Sequence, residues 1–384
     1  MSLFLFKTLY TPCRTITDAA ILASDGKIAF AGERSAAKPA QNQDIHDFGD
    51  CVAVPGFFDL HFHGAAGCDV MRGTARELEA MERFLARHGT TSYLPTTVTA
   101  PVDPTLSALE QLANAIERNN NEAGRARPLG IHLEGPFLSH AKRGVHAAEN
   151  LIPPTIAVFE KFWQAARGHV RMMTIAPELD GAEEVIAEAT KRGVCISIGH
   201  SNASRDEAQR GIKAGARHAT HTFNAMRALD HREPGILGEV LTNNQISADV
   251  IADGIHVHPS VIDLLVRAKG IENVVLITDA LSAAGMPDGH YRLGTMEFEL
   301  KNGRCERNGN LAGSVLTLDK AVRNLMEFAH VDLKSAAGAA STNPAKSAGV
   351  RGKGVIEPGA DADFVVLTPT GEVRATVIGG TLVQ

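Results

Sequence analysis

Six ionisable residues stand out by type and spacing before any fold is assumed. His61 and His63 lie two apart in PGFFDLHFHG. Glu134 ends the apolar run of PLGIHLEGPF, His200 that of VCISIGHS, His221 that of ARHATHTFNAM and Asp279 that of NVVLITDA. Residues two apart on an extended strand face the same side, so both imidazoles of the His-x-His pair can serve one ion. Taken singly, each of the six has a bland account as a capping carboxylate or a satisfied histidine. Together they supply the mix of His, Glu and Asp that a hydrolytic Zn²⁺ or Fe²⁺ centre uses.

Such residues work together only if the elements carrying them end in one place. Between Cys51 and Ala280 the chain alternates β-branched apolar runs with stretches of helical spacing. The strand-like runs are CVAVPGFFDLHFHG, TSYLPTTVT, PLGIHLEGPF, VRMMTIAPE, VCISIGHS, ARHATHTFNAM, QISADVIADGIHVHP and NVVLITDA. TARELEAMERFLARHG, with Leu78, Met81, Leu85 and His88 on one face, PTLSALEQLANAIERNN, AEEVIAEATKRG and SRDEAQRGIKAG read as helices between them. Eight strands alternating with helices predict an α/β fold, the (β/α)8 TIM-type barrel, whose sites sit at the C-terminal ends of the strands. An open doubly wound sheet would carry GxGxxG after its first strand, and none is present. AAILASDGKIAFAGE, with Asp25-Gly26 between apolar runs, reads as a hairpin, and ADADFVVLTPT and VRATVIGGTLVQ read as further strands. They predict a small β-sandwich domain built from both termini, residues 1–54 and 353–384, around a barrel over residues 55–352. Two segments interrupt the alternation. LSHAKRGVHAAENLIPP is long enough to be a lid, and residues 290–310 resemble an inserted β-hairpin.

Composition excludes other classes. The 384 residues carry a net charge of −6 with no basic stripe and a single Trp163, which argues against nucleic acid. No apolar run approaches the ~18 residues of a membrane span. Cys13, Cys51, Cys68, Cys195 and Cys305 are scattered, odd in number and form no CxxC, the pattern of reduced thiols in a cytoplasmic protein. The N-terminal apolar stretch is too short for a signal peptide.

PGFFDLHFHG, HLEGPF, IGHS, THTFNAM, REPG, ADGIHV and LITDA, in this order along nearly the whole chain, resemble the amidohydrolase superfamily, and within it the branch that deacetylates N-acetyl amino-sugar 6-phosphates. The resemblance implies hydrolysis of the acetamide of N-acetyl-D-glucosamine 6-phosphate with one or two divalent ions per subunit, Zn or Fe. It implies that Glu134, His200 and His221 form the principal metal site. His61 and His63 would hold a second ion, with Glu134 bridging. Other branches bridge their ions with a lysine from the fourth strand, and VRMMTIAPE offers none before Pro177. The ion would lower the pKa of a bound water and polarise the amide carbonyl. By the same resemblance, Asp279 shuttles the water proton to the departing amine and His146 polarises the acetyl carbonyl. Backbone N–H groups of Asn224 and Ala225, with His256, would take the phosphate. Arg232 would reach in from the other subunit of a homodimer, its planar guanidinium suiting phosphate.

Three alternatives stay open at this level. One is the galactosamine epimer of the substrate. Another is a different amidohydrolase, such as a cyclic amidase or a deaminase. The last is a non-catalytic scaffold of the same fold, against which the complete ligand set weighs.

Overall fold

The computed structural model describes residues 1–38, 43–118 and 124–383. Asn119 and Asn120, the end of the second expected helix, and the terminal Gln384 lie outside these residues.

Eight parallel strands make the barrel: Phe57–Phe62, Thr90–Thr97, Ile131–Glu134, Val170–Ile175, Cys195–Ile198, His218–Ala219, Ser247–Ile251 and Val274–Ile277. Each pairs with the next in chain order, from the first with the second to the seventh with the eighth. The strands are buried on both faces, which is why their sequences read as apolar runs without alternation. Among the described residues the first and eighth strands form no ladder and meet at their ends, by an isolated bridge, Phe62 to Ala280, and backbone hydrogen bonds around it.

The helices outside carry local signals that fix their ends. Thr74 caps the helix Ala75–Arg87 in a capping box with Glu77, and Leu78, Met81 and Leu85 turn its apolar face inward. His88 falls one residue past that helix and caps its C-terminal end instead of extending the buried face. Ser204 and Glu207 form a second capping box on Arg205–Ala214.

A separate eight-stranded sheet joins the termini. Ser2–Tyr10 pairs with Thr15–Ser24 and Val52–Pro55, and Val52–Pro55 pairs with Phe364–Leu367 from the far end of the chain. The sheet curls, so that Phe4 meets Phe364 edge-on at 5.0 Å although another strand lies between theirs. Asp25 and Gly26 both have positive φ, the type I′ geometry that their sequence demands.

Where the sequence predicts one inserted hairpin, the structure has a four-stranded antiparallel sheet over residues 289–311. The extra strands follow from two Asn-Gly turns, Asn302-Gly303 and Asn308-Gly309, each with both φ values positive. Arg307 of this sheet donates to the Val145 carbonyl oxygen at 2.9 Å, tying it to the long loop after the third strand.

Candidate active site

The structure brings all six strand-end residues to one point. Glu134 is the last residue of the third strand. His200, His221 and Asp279 each stand two residues beyond the end of theirs, after Ile198, Ala219 and Ile277. All three have positive φ, 47°, 30° and 49°. Non-glycine residues in that region cost about 1–3 kcal/mol each and persist only where the surroundings hold them. The chain turns sharply there, and the side chain swings over the barrel mouth.

Two groups of three result. The ligand atoms of His61, His63 and Asp279 all lie within 4.8 Å of one another, as do those of Glu134, His200 and His221. The Glu134 carboxylate stands between the groups. Its Oε1 is 3.1 Å from His221, 3.2 Å from His200 and 3.3 Å from His61, and its Oε2 is 3.2 Å from His63. Asp279 Oδ1 lies 3.3 Å from His63 and 3.5 Å from His61.

The hydrogen bonds behind these rings decide what they can hold. His63 Nδ1–H donates to the Thr96 carbonyl oxygen (2.9 Å), His200 Nδ1–H to that of Lys142 (2.9 Å) and His221 Nδ1–H to that of Asn224 (3.2 Å). With the proton on Nδ1, each ring aims an Nε2 lone pair inward. Two such nitrogens face each other at 3.1 Å in His200 and His221, and the Nε2 atoms of His61 and His63 stand equally close. Ring nitrogens this close to one another and to two carboxylates are the donor types and spacing of a metal site, so this set fits a divalent metal.

Protons compete for the same place. Burial pulls the His63 imidazole down, but its hydrogen bonds to Asp279 and Glu134 outweigh that and push it up to about 10. His221 is likewise pulled down by burial and lifted by its Glu134 hydrogen bond, to about 9. In His200 burial wins and brings it to about 4. Burial raises the carboxyls of Glu134 and Asp279, yet the surrounding imidazoles hold both below the usual carboxylate range.

A cavity of about 430 Å³ opens above the cluster. His63, Glu134, His200, His221 and Asp279 form its floor, and His140–His146, Asn224, Ala225, His256, Leu293 and Asn310–Gly313 its walls. His146 is buried with Nε2 3.6 Å from Glu134 Oε2. Its Nδ1 accepts from the Thr99 backbone N–H (3.4 Å) and meets the Thr99 hydroxyl at 2.8 Å, which places the proton on Nε2, facing the cavity. His256 donates from Nδ1 to Asp253 at 2.7 Å, and its Nε2 is buried with no partner among the described residues.

The residues expected at the phosphate stand in different places. The Asn224 backbone N–H donates to the His221 carbonyl oxygen at 2.8 Å, because the turn that aims His221 closes on itself there. That N–H is therefore engaged within the chain. Arg232 is exposed and lines a different cleft, with Ser204, Leu229 and Gly238, away from this chain's own cavity.

Sequence reading missed the layer beneath the ligands. Asp59, His132, His218, Asp249 and Thr278 are buried polar residues inside the barrel. Burial pushes the Asp59 carboxyl up to about 7, against hydrogen bonds from Thr278 and His61 that lower it. Asp59 was legible, since 59, 61 and 63 alternate on one strand face. Asp249 interrupts the apolar run ISADVIA and carried the same signal.

The parallel barrel with carboxylates and imidazoles gathered at its strand ends is the architecture of a metal-dependent hydrolase. The amidohydrolase family matches residues 52–383. N-acetylglucosamine-6-phosphate deacetylase of Lysinibacillus sphaericus is 35% identical over 93% of this chain and 91% of that protein. N-acetylgalactosamine-6-phosphate deacetylase of Escherichia coli O157:H7 is 38% identical over 86% of this chain and 87% of that one. A variant of the N-acetyl-D-glucosamine-6-phosphate deacetylase of Mycobacterium smegmatis, solved in complex with N-acetyl-D-glucosamine-6-phosphate, superimposes with a TM-score of 0.93 at 32% identity, over 100% of this chain and 99% of that one. The chain belongs with these deacetylases to the amidohydrolase family.

Proposed function

We propose that the protein hydrolyses the N-acetyl group of N-acetyl-D-glucosamine 6-phosphate, releasing acetate and D-glucosamine 6-phosphate. The observation that carries this reading is the Glu134 carboxylate. It joins both groups of ligands under a sugar-sized cavity whose wall holds a proton donor, His146, and His256, whose Nε2 has no partner among the described residues. Glu134, His200 and His221 would hold the principal ion, with His61 and His63 on a second that Glu134 bridges. Bound there, a divalent ion supplies a water acidified to near neutral pH and polarises the amide carbonyl.

The chain's own residues do the rest. Asp279, ionised and facing the His61 and His63 ring nitrogens, accepts the proton of the attacking water. It then delivers that proton to the sugar nitrogen, because an amine leaves poorly unless protonated. His146 Nε2–H donates to the carbonyl oxygen as negative charge builds on it. His256 and the Ala225 backbone take the phosphate, joined by Arg232 from the second subunit of a homodimer.

A second reading is the galactosamine epimer, favoured by the 38% identical relative. Assay of both sugar phosphates separates the two, and the faster kcat/KM names the substrate.

The phosphate is expected to act as a handle that orients the acetyl group over the cluster. Unphosphorylated N-acetylglucosamine should therefore lose most of its kcat/KM. Arg232→Ala should damage turnover of the phosphorylated sugar far more than that of the free sugar, since only the former makes charge-assisted bonds to it. Mixing Arg232→Ala with Asp279→Asn protein should restore part of the activity, because one site of the mixed dimer holds both native residues. Equal losses on both sugars, or no recovery in verified mixed dimers, would remove Arg232 from the neighbouring site.

A further inference from the structure

We propose that the two groups of ligands are aimed separately by two buried carboxylates, Asp59 for His61, His63 and Asp279, and Asp249 for the group containing His221. The proposal rests on the metal-centre reading above and deepens it.

Asp59 closes the seam of the barrel. The first and eighth strands share a bridge and no ladder, with the His63 and Gly64 N–H groups both donating to the Ala280 carbonyl oxygen just beyond them, and their ends carry all three residues of one group. The Asp59 side chain, fully buried, fills the gap. Its Oδ2 accepts the Thr278 hydroxyl at 2.6 Å, and its Oδ1 accepts the backbone N–H groups of Thr278 (3.2 Å) and His61 (3.3 Å). One carboxylate thus binds the residue before Asp279 to the backbone of His61. It sets the separation of the two strand ends, and with it the distance from Asp279 to both imidazoles. The Asp279 N–H donates to the His61 carbonyl oxygen at 2.9 Å, completing the same joint.

Asp249 holds His221 from the neighbouring strand. Its Oδ1 accepts the His221 backbone N–H, and its own carbonyl oxygen accepts the Thr222 N–H at 2.9 Å, so both sides of His221 are gripped. That grip holds His221 in its left-handed φ of 30°. The other carboxylate oxygen meets His218 Nε2 at 3.0 Å, and His218 Nδ1 has no partner among the described residues. Among the described residues the His218 ring hydrogen-bonds to Asp249 alone and so buttresses it. Carboxyl oxygens accept hydrogen bonds, which suits these side chains to gather backbone N–H groups that no ladder takes. Asp59 and Asp249 touch no ligand atom in either group. They are positioning residues.

The test is a titration of metal-free, full-length protein with Zn²⁺ against a chelating indicator. Melting of each metal-free variant is followed alongside. Asp59→Ala should weaken one of two ions by about 10–100-fold, the size expected for partners behind metal ligands, and Asp249→Ala the other. His61→Asn protein retains one ion in this reading. Added to it, Asp249→Ala should weaken that ion and Asp59→Ala should not. Asp59→Asn and Asp249→Asn should fall between alanine and wild type, because the amide oxygen still accepts the backbone N–H. They also carry the comparison if an alanine variant does not fold. Equal weakening of both ions by either variant, or no change in affinity from either, overturns the proposal. A wild type that takes a single ion ends the two-site reading instead. The proposal then requires Asp249→Ala to weaken that ion and Asp59→Ala to leave it, and any other pattern refutes it.

Discussion

Asp279→Asn should lower kcat by about 10²–10⁴-fold, the range supplied by a positioned acid–base group, while KM changes little. The carboxylate sits at the end of the eighth strand, held ionised by His61 and His63 against the pull of burial. Asparagine keeps the shape and the backbone bonds to His61 and Ser314 but accepts no proton. Because Glu134, His200 and His221 are untouched, the principal ion should remain. Steady-state kinetics with metal analysis on the same preparation checks both halves. A near-normal kcat would remove Asp279 from the proton path. A low kcat with the principal ion lost would reduce it to a structural ligand.

Glu134→Gln should take activity to background and release the principal ion. An amide nitrogen brings donor hydrogens where four imidazole nitrogens now find carboxylate oxygens within 3.3 Å, and it offers no charge to a cation. His200→Asn should do the same by removing an inward lone pair. His61→Asn, in contrast, should lose only the second ion and keep partial activity. Elemental analysis by mass spectrometry, paired with turnover, distinguishes these outcomes. Two ions retained in the His61→Asn protein would contradict the division into two groups.

The strand ends were legible because a buried parallel strand reads as an apolar run, so an ionisable residue closing it is conspicuous. His61, His63, Glu134, His200, His221 and Asp279 all carried that signal. Asp59 and Asp249 carried a weaker form of it, one charge inside the run, and its meaning depends on which backbone the neighbouring strand presents. The positive φ of His200, His221 and Asp279 has no local marker such as glycine, since tertiary contacts impose it. The four-stranded insert was within reach, because Asn302-Gly303 and Asn308-Gly309 are both hairpin turns by type. The turn that engages the Asn224 N–H was not, as THTFNAM has no glycine or proline to announce it. Arg232 lines a separate surface cleft, and an arginine in an exposed loop carries the same local sequence signal whether it faces solvent or a second subunit.

The most direct test of the central claim is release of acetate from N-acetyl-D-glucosamine 6-phosphate by purified protein, with and without a chelator. The account predicts one acetate for each D-glucosamine 6-phosphate formed, loss of that activity after the chelator strips the cluster, and its return with added Zn²⁺ or Fe²⁺. Acetate release that persists in protein shown by elemental analysis to hold no metal would contradict the metal centre. No acetate from metal-loaded protein would contradict the reaction itself.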